Sequence, residues 1–129
     1  MNVVIDTNVI ISGFLNSRGL PGKIINLLFN ERINLLFDNR ILAEYKDVLS
    51  RDKFGFNRDI IDPLIDYINK DCIYVISNPI LESFNDEDDK KFYEVALSGN
   101  ADYLITGNIK HFPKDQIIVT PREFLEKVI

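Results

Sequence analysis

Apolar residues in this chain come in short blocks separated by polar punctuation. Val3-Val4-Ile5 is an unbroken β-branched run that stops at Asp6-Thr7-Asn8, and a second apolar run, Val9-Ile10-Ile11, ends at Ser12-Gly13. A run of the first kind suits a strand buried on both faces, as in a parallel sheet. Thr7 or Asn8 can cap a helix that begins there. Asn16 to Gly22 holds two glycines and a proline and reads as a loop. Lys23 to Arg32 is apolar at 24, 25, 27, 28 and 29, which predicts a buried helix. Ile33 to Phe37 is a second strand, and Asp38 or Asn39 caps a helix to about Ser50.

Arg51 to Asn57 is a charged, aromatic-containing loop. Ile60, Ile61, Leu64, Ile65 and Ile68 mark an amphipathic helix with Pro63 in its first turn. Cys72 to Ile76 is a third strand, broken by Asn78-Pro79. A helix opens between Asn85 and Asp89 and runs to about Ser98. Tyr103-Leu104-Ile105 is a fourth strand ending in Thr106-Gly107-Asn108, and Gln116 to Val119 is a fifth. Thr120 then caps a last helix with Pro121 at its first position. Strands that alternate with helices predict an α/β fold of three layers, a central parallel sheet of about five strands between helices.

The chain has 129 residues, so a single domain over 1–129 is expected, with a core that needs no staples. One cysteine, Cys72, excludes an internal disulfide and a cysteine-based zinc site, and its apolar neighbours make it a buried core thiol. No apolar run approaches the length of a membrane span and nothing reads as a signal peptide, so a cytoplasmic protein without membrane contact is expected. A net charge of −5 argues against bulk nucleic-acid binding through overall charge. The acids are uneven, however: Glu82, Asp86, Glu87, Asp88 and Asp89 fall within eight residues. Held close together, such a cluster would invite a divalent cation.

Three acids stand out by position. Asp6 sits where a central strand gives way to a helix, the edge at which open α/β sheets bind ligands. Asp is also an ordinary turn residue there. Glu44 lies three residues after Ile41 and four before Val48, so it leans toward the apolar stripe of its helix. A buried-side carboxylate needs a partner or a metal; a stripe-edge Glu that bends to solvent needs neither. Asp89 is three residues before Phe92 and seven before Ala96, on the inward side. Asp86 can cap that helix, and Glu87 and Asp88 complement its dipole. The carboxyl ends of strands one and four share one sheet edge, which gathers Asp6, Thr106 and Asn108, brings Asp89 close and leaves Glu44 within reach.

These stretches together resemble the PIN-domain family of metal-dependent nucleases, and the resemblance covers almost the whole chain. Val3 to Gly13 is similar to the family's opening signature, Ile41 to Leu49 to its second motif, Asp86 to Ala96 to its third and Ala101 to Asn108 to its fourth. The branch it most resembles holds toxin components of toxin–antitoxin pairs. The resemblance implies a ribonuclease using Mg2+ or Mn2+, an RNA substrate, an antitoxin protein as partner and a homodimer. It implies that Asp6, Glu44 and Asp89 are catalytic and hold metal, with Asp86 and Asn108 as further metal positions. Asn108 departs from the family's usual Asp, which removes one charge and bears on a second metal ion. Candidate substrate contacts are Thr7, Asn8, Ser12, Thr106, Lys110 and His111.

The residue types suit that chemistry. Hard divalent cations take oxygen ligands, and such an ion activates water, orients a phosphodiester and stabilises the leaving oxygen. No nucleophilic side chain is needed. His111 is the only histidine, which excludes a two-histidine ribonuclease mechanism and suits a phosphate or backbone contact. Two basic sets, Arg51, Lys53 and Arg58, and Lys110, His111 and Lys114, read as solvated charge unless their loops flank the acidic pocket. Two alternatives remain at this point. One is an inactive binding module, should Asn108 abolish metal binding. The other is a receiver-like phosphotransfer domain, which wants an acid ending the third strand, where this chain has none.

Overall fold

The computed structural model describes residues 1–128. Its strands are β1 (Asn2–Ile5), β2 (Asn34–Phe37), β3 (Ile73–Tyr74), β4 (Tyr103–Ile105) and β5 (Ile118–Val119). Its helices are α1 (Thr7–Leu15), α2 (Leu20–Phe29), α3 (Asn39–Leu49), α4 (Arg58–Asp71), α5 (Lys90–Ser98) and α6 (Pro121–Val128). The strands form one parallel sheet in the order β3-β2-β1-β4-β5. β1 is central, and Val3, Val4 and Ile5 are fully buried, as a strand covered on both faces requires. α5 packs across β1, β2 and β4, while α1 packs on α2 and α3, and α2 on α6. Right-handed crossovers put α1 to α4 on one face of the sheet and α5 on the other, giving the three-layer α/β/α arrangement.

This strand order creates a switch point. From β1 the chain steps outward to β2 and β3, then returns across the sheet to β4 on the opposite side of β1. Loops leaving the carboxyl ends of β1 and β4 therefore diverge, the place at which open α/β sheets bind ligands. Asp6 follows β1 and Thr106 follows β4, so both stand, buried, at this switch point.

Several boundaries differ from expectation, each for a local reason. α1 starts at Thr7, with Asp6 preceding it, so neither Thr7 nor Asn8 is the cap. α2 runs three residues earlier than periodicity suggested, because Pro21 fits a first turn, where its missing N–H is no loss. It closes in a left-handed Glu31 (φ 57°), with the Arg32 N–H donating to the Leu27 carbonyl at 2.9 Å. Pro63 lies in the second turn of α4, not the first, because Asn57 caps that helix through the Asp59 N–H. Its missing donor leaves the exposed Asp59 carbonyl to water.

The third strand shrinks from the expected Cys72–Ile76 to Ile73–Tyr74. It is an edge strand with one neighbour, and Ile76 beyond it is 86% exposed. Cys72 is half-buried rather than sealed in the core. Burial still pushes its thiol up to about 11, so it stays protonated and unreactive at neutral pH. A single 3-10 turn, Glu87–Asp89, precedes α5. β5 is confined to Ile118–Val119, because Asp115 accepts from the Ile117 N–H and forms a turn there. Thr120 and Glu123 bond each other's backbone N–H groups at 3.1 and 3.0 Å, a capping box that starts α6.

Candidate active site

Asp6 is 7% exposed and closes β1. Its backbone N–H donates to the Ile105 carbonyl, so it stays in the sheet ladder while its side chain turns to Thr106. Thr106, fully buried at the end of β4, donates its hydroxyl to Asp6 Oδ2 at 2.8 Å. The same hydroxyl accepts from the Asn108 N–H at 3.0 Å. Burial raises the Asp6 carboxyl from 3.8 to about 6; the Asp89 and Glu44 charges push the same way, and the Thr106 hydrogen bond opposes them.

Glu44 comes from the opposite layer. Asp38 caps α3 by accepting from the Ile41 N–H at 3.0 Å, which fixes the start of the helix at the carboxyl edge. Tyr45, fully buried, donates its phenol to the Ile5 carbonyl and ties α3 to the end of β1. Burial, with the nearby Asp6 and Glu44 charges, raises that phenol well above its usual value, so it remains a donor. Glu44, the preceding residue, then reaches the Thr7 hydroxyl, which donates to its Oε2. Its Oε1 lies 2.7 Å from Lys91 Nζ.

Asp89 enters from the other face of the sheet. Asp86 caps the turn before α5 by accepting from the Asp88 N–H at 3.0 Å. Burial first, then the Asp86 charge, raises the Asp89 carboxyl, and His111 pulls it back down. His111 Nδ1 lies 3.3 Å from Asp89 Oδ2, close enough for attraction but without hydrogen-bond alignment. Asp89 Oδ2 is thus sealed from solvent with no hydrogen-bond partner. A buried anionic oxygen in that state is costly and calls for a cation or a donor.

The other candidates fall in two groups. Asn8 Oδ1 accepts from the Gly107 N–H at 3.3 Å, which clips the β1 and β4 loops together. Asn108, Lys110 and His111 are exposed just beyond β4, on the same edge. Ser12 is not brought in: it sits on an exposed face of α1, six residues or about 9 Å along the helix from Asp6. Arg51, Lys53 and Arg58 lie beyond the far end of α3, whose eleven residues span about 16 Å. That loop borders the opposite edge of the sheet from Asp6, while Lys110 and His111 follow β4 at the acidic edge and Lys114 lies further along, before the turn that enters β5.

Asp6, Glu44 and Asp89 share one edge, but their carboxylates do not meet at a point. Among the described residues, no three His, Cys, Asp or Glu side chains are gathered closely enough to hold an ion. Glu44 is engaged by Thr7 and Lys91, yet the Glu44 and Asp89 charges are near enough to raise the Asp6 carboxyl. The donor chemistry nonetheless fits a hard divalent cation: carboxylate and amide oxygens, and one buried carboxylate oxygen, Asp89 Oδ2, without a hydrogen-bond partner.

Two features escaped the sequence reading. The first is Lys91, which no motif singles out. A lysine in the first turn of a helix opposes the dipole, and that mismatch was the available signal that it has an anionic partner. The second is Arg40, whose guanidinium bonds Asp38 at 2.9 Å, Glu94 at 2.8 Å and Ser77 at 2.9 Å. Asp38 and Glu94 are buried, and Glu94 also accepts from the Ile80 N–H at 2.9 Å. This clasp fastens the segment after β3 to α3 and α5. It borders an open pocket of about 350 Å3 lined by Arg40, Glu44, Glu87, Asp88, Lys90, Lys91 and Glu94, cations and acids interspersed.

Comparison with known proteins fits this geometry. Residues 2–110 match the PIN domain. The chain is similar to the uncharacterized protein MJ1680 of Methanocaldococcus jannaschii, 32% identical over 142 aligned positions that cover 98% of this chain and 91% of the relative. No solved structure matches it. PIN domains are in general nucleases that work with divalent metal ions, and the match displaces the receiver-like alternative. A five-stranded parallel sheet with acids at its central switch point, and a family match over residues 2–110, make this chain a member of the PIN-domain family.

Proposed function

We propose that the chain is an endoribonuclease dependent on Mg2+ or Mn2+, the toxin of a toxin–antitoxin pair. The observation that carries the reading is the set of three acids brought to the switch-point edge by three separate elements, with Asp6 buried on Thr106 and Asp89 Oδ2 buried without a hydrogen-bond partner. Burial and the neighbouring acids raise the Asp6 carboxyl, as at sites prepared for charge chemistry. In this reading Asp6, Glu44 and Asp89 hold the cation, with Asp86 and Asn108 as outlying oxygen donors. When bound, the ion would acidify a water and neutralise charge on the phosphodiester.

The chain's own residues do the rest. Thr106 fixes the orientation of Asp6, and Thr7 that of Glu44. Lys110, with Lys114 further along the same loop, offers positive charge to the substrate's phosphates, and His111 offers a ring nitrogen beside Asp89. Thr7 and Thr106 are buried and engaged with Glu44 and Asp6, so they act on the substrate only through those acids, while partly exposed Asn8 remains a candidate contact. RNA is thereby held by a local basic border despite the net charge of −5. The antitoxin would be a separate chain, and a homodimer is part of the same proposal.

The test is cleavage of a mixed RNA pool with Mg2+, with Mn2+ and with chelator, for the wild type and for Glu44→Gln and Asp89→Asn. Metal-dependent cleavage that both variants lose, with unchanged folded spectra, is the expected result. Cleavage that survives chelation or both substitutions overturns the reading. A second reading, a catalytically inactive PIN module, draws support from Asn108 and from the Lys91 ammonium on Glu44. Mn2+ binding without cleavage of any RNA would favour it.

A further inference from the structure

We propose that Lys91 is the built-in counter-ion of the acidic site, holding Glu44 in the metal-free protein and competing with a divalent cation for it. The proposal rests on the reading of Glu44 as a metal position. Its own basis is the surroundings of one ammonium group. Lys91 Nζ lies 2.7 Å from Glu44 Oε1, and the Lys91 side chain is only 12% exposed. Lysine is almost never buried to that degree unless its charge is matched. The same ammonium donates to the Asp88 carbonyl and lies 5.1 Å from the centre of the Phe92 ring. Its neighbour Lys90 differs, sitting 3.8 Å from the exposed Glu87.

The two Glu44 oxygens are unequally held. Thr7 occupies Oε2 with a neutral hydroxyl, which orients the group without cancelling its charge. Lys91 occupies Oε1 with a full positive charge. A cation that takes Oε1 must therefore displace an ammonium, whereas Thr7 can stay. The long lysine stem permits displacement, because its rotatable bonds let the charged head swing outward, at the cost of its contacts with the Asp88 carbonyl and the Phe92 ring. Without Lys91, Glu44 would lose the one ammonium in direct contact with it, beside the Asp6 and Asp89 carboxyls. Lys91 thus steadies the metal-free site and weakens cation binding.

Lys91→Met keeps the stem and removes the charge. Calorimetric Mn2+ titration should show about three- to tenfold tighter binding in this variant than in the wild type, the scale of one partly screened ion pair. Its metal-free melting temperature should fall. A second measurement uses the wild type alone: amine-reactive labelling of Lys91, followed by mass spectrometry, should be slow without metal and faster at saturating Mg2+. Unchanged or weaker Mn2+ affinity in folded Lys91→Met, or labelling indifferent to Mg2+, overturns the proposal. Should Lys91→Met not fold, the labelling result decides alone. If the wild type binds Mn2+ and cleaves RNA but Lys91 fails these tests, only the counter-ion role is lost. If the wild type binds no divalent cation, this proposal and the metal-dependent function fall together.

Discussion

Thr106 and Asp6, 100 residues apart in the chain, share a 2.8 Å hydrogen bond across the ends of β4 and β1. It is the polar link of the switch point, because each residue ends one of the two strands from which the chain diverges. It also keeps a buried carboxylate aimed and partly satisfied where burial and neighbouring acids oppose its charge.

The first prediction concerns that charge and pH. The folded Asp6 carboxyl titrates near 6, against 3.8 ordinarily, so between about pH 4 and 6 the folded state holds a proton that the unfolded chain has lost. Stability without metal therefore falls as pH rises through this window, by about 3 kcal/mol. Asp6→Asn should be more stable than the wild type at pH 7.5 by up to about that amount, and nearly equal at pH 4. Urea melts in chelator at both pH values check this. A variant less stable at both would make Asp6 a structural acid.

The second prediction uses the two sheet edges. Lys110→Glu or Lys114→Glu should weaken RNA binding across sequences and flatten its dependence on salt, by about one unit of log–log slope for each phosphate no longer neutralised. Lys53→Glu, on the loop at the opposite edge, should leave the slope unchanged. Binding isotherms at several salt concentrations separate the two edges. Equal effects from Lys53 and Lys110 would mean that the RNA does not follow the acidic edge.

A third prediction turns on Asn108, exposed beyond β4 and anchored through its N–H to Thr106. An amide oxygen can ligate a cation but brings no charge. Asn108→Asp should strengthen a second, weak cation site and raise cleavage at low metal. It should lower metal-free stability slightly, through added repulsion. Calorimetry with Mn2+ and cleavage across metal concentration are the measurements. Identical stoichiometry, affinity and rate would remove Asn108 from the metal positions.

The fourth prediction concerns the clasp. Arg40 is 47% exposed, but both carboxylates it holds are buried. Arg40→Met would strand Asp38 and Glu94 without their cation. Removing one partner of a buried pair costs about 3–5 kcal/mol, and the exposure of Arg40 lowers this to about 2–3 kcal/mol. Adding Glu94→Gln should recover part of the loss. Chemical denaturation of the single and double variants gives the coupling, and strict additivity would mean the clasp does not act as a unit.

The sequence by itself determined the layers and the active edge. Unbroken apolar runs such as Val3 to Ile5 admit burial on both faces, and their alternation with helices allows few arrangements other than a parallel sheet. Asp6 was legible because an acid ending such a run must lie at a strand's carboxyl end. Strand order, and with it the switch point that joins Asp6 to Thr106, was a tertiary decision, since no local pattern states which strands are neighbours. So was the length of β3: its apolar residues promised a full strand, but an edge position with one partner sustains only Ile73–Tyr74. Lys91 on Glu44 and Arg40 between Asp38 and Glu94 depend on α3 and α5 meeting at one edge. A charge announces itself in a sequence, but its partner is chosen by packing, because only packing decides which charges are removed from water together.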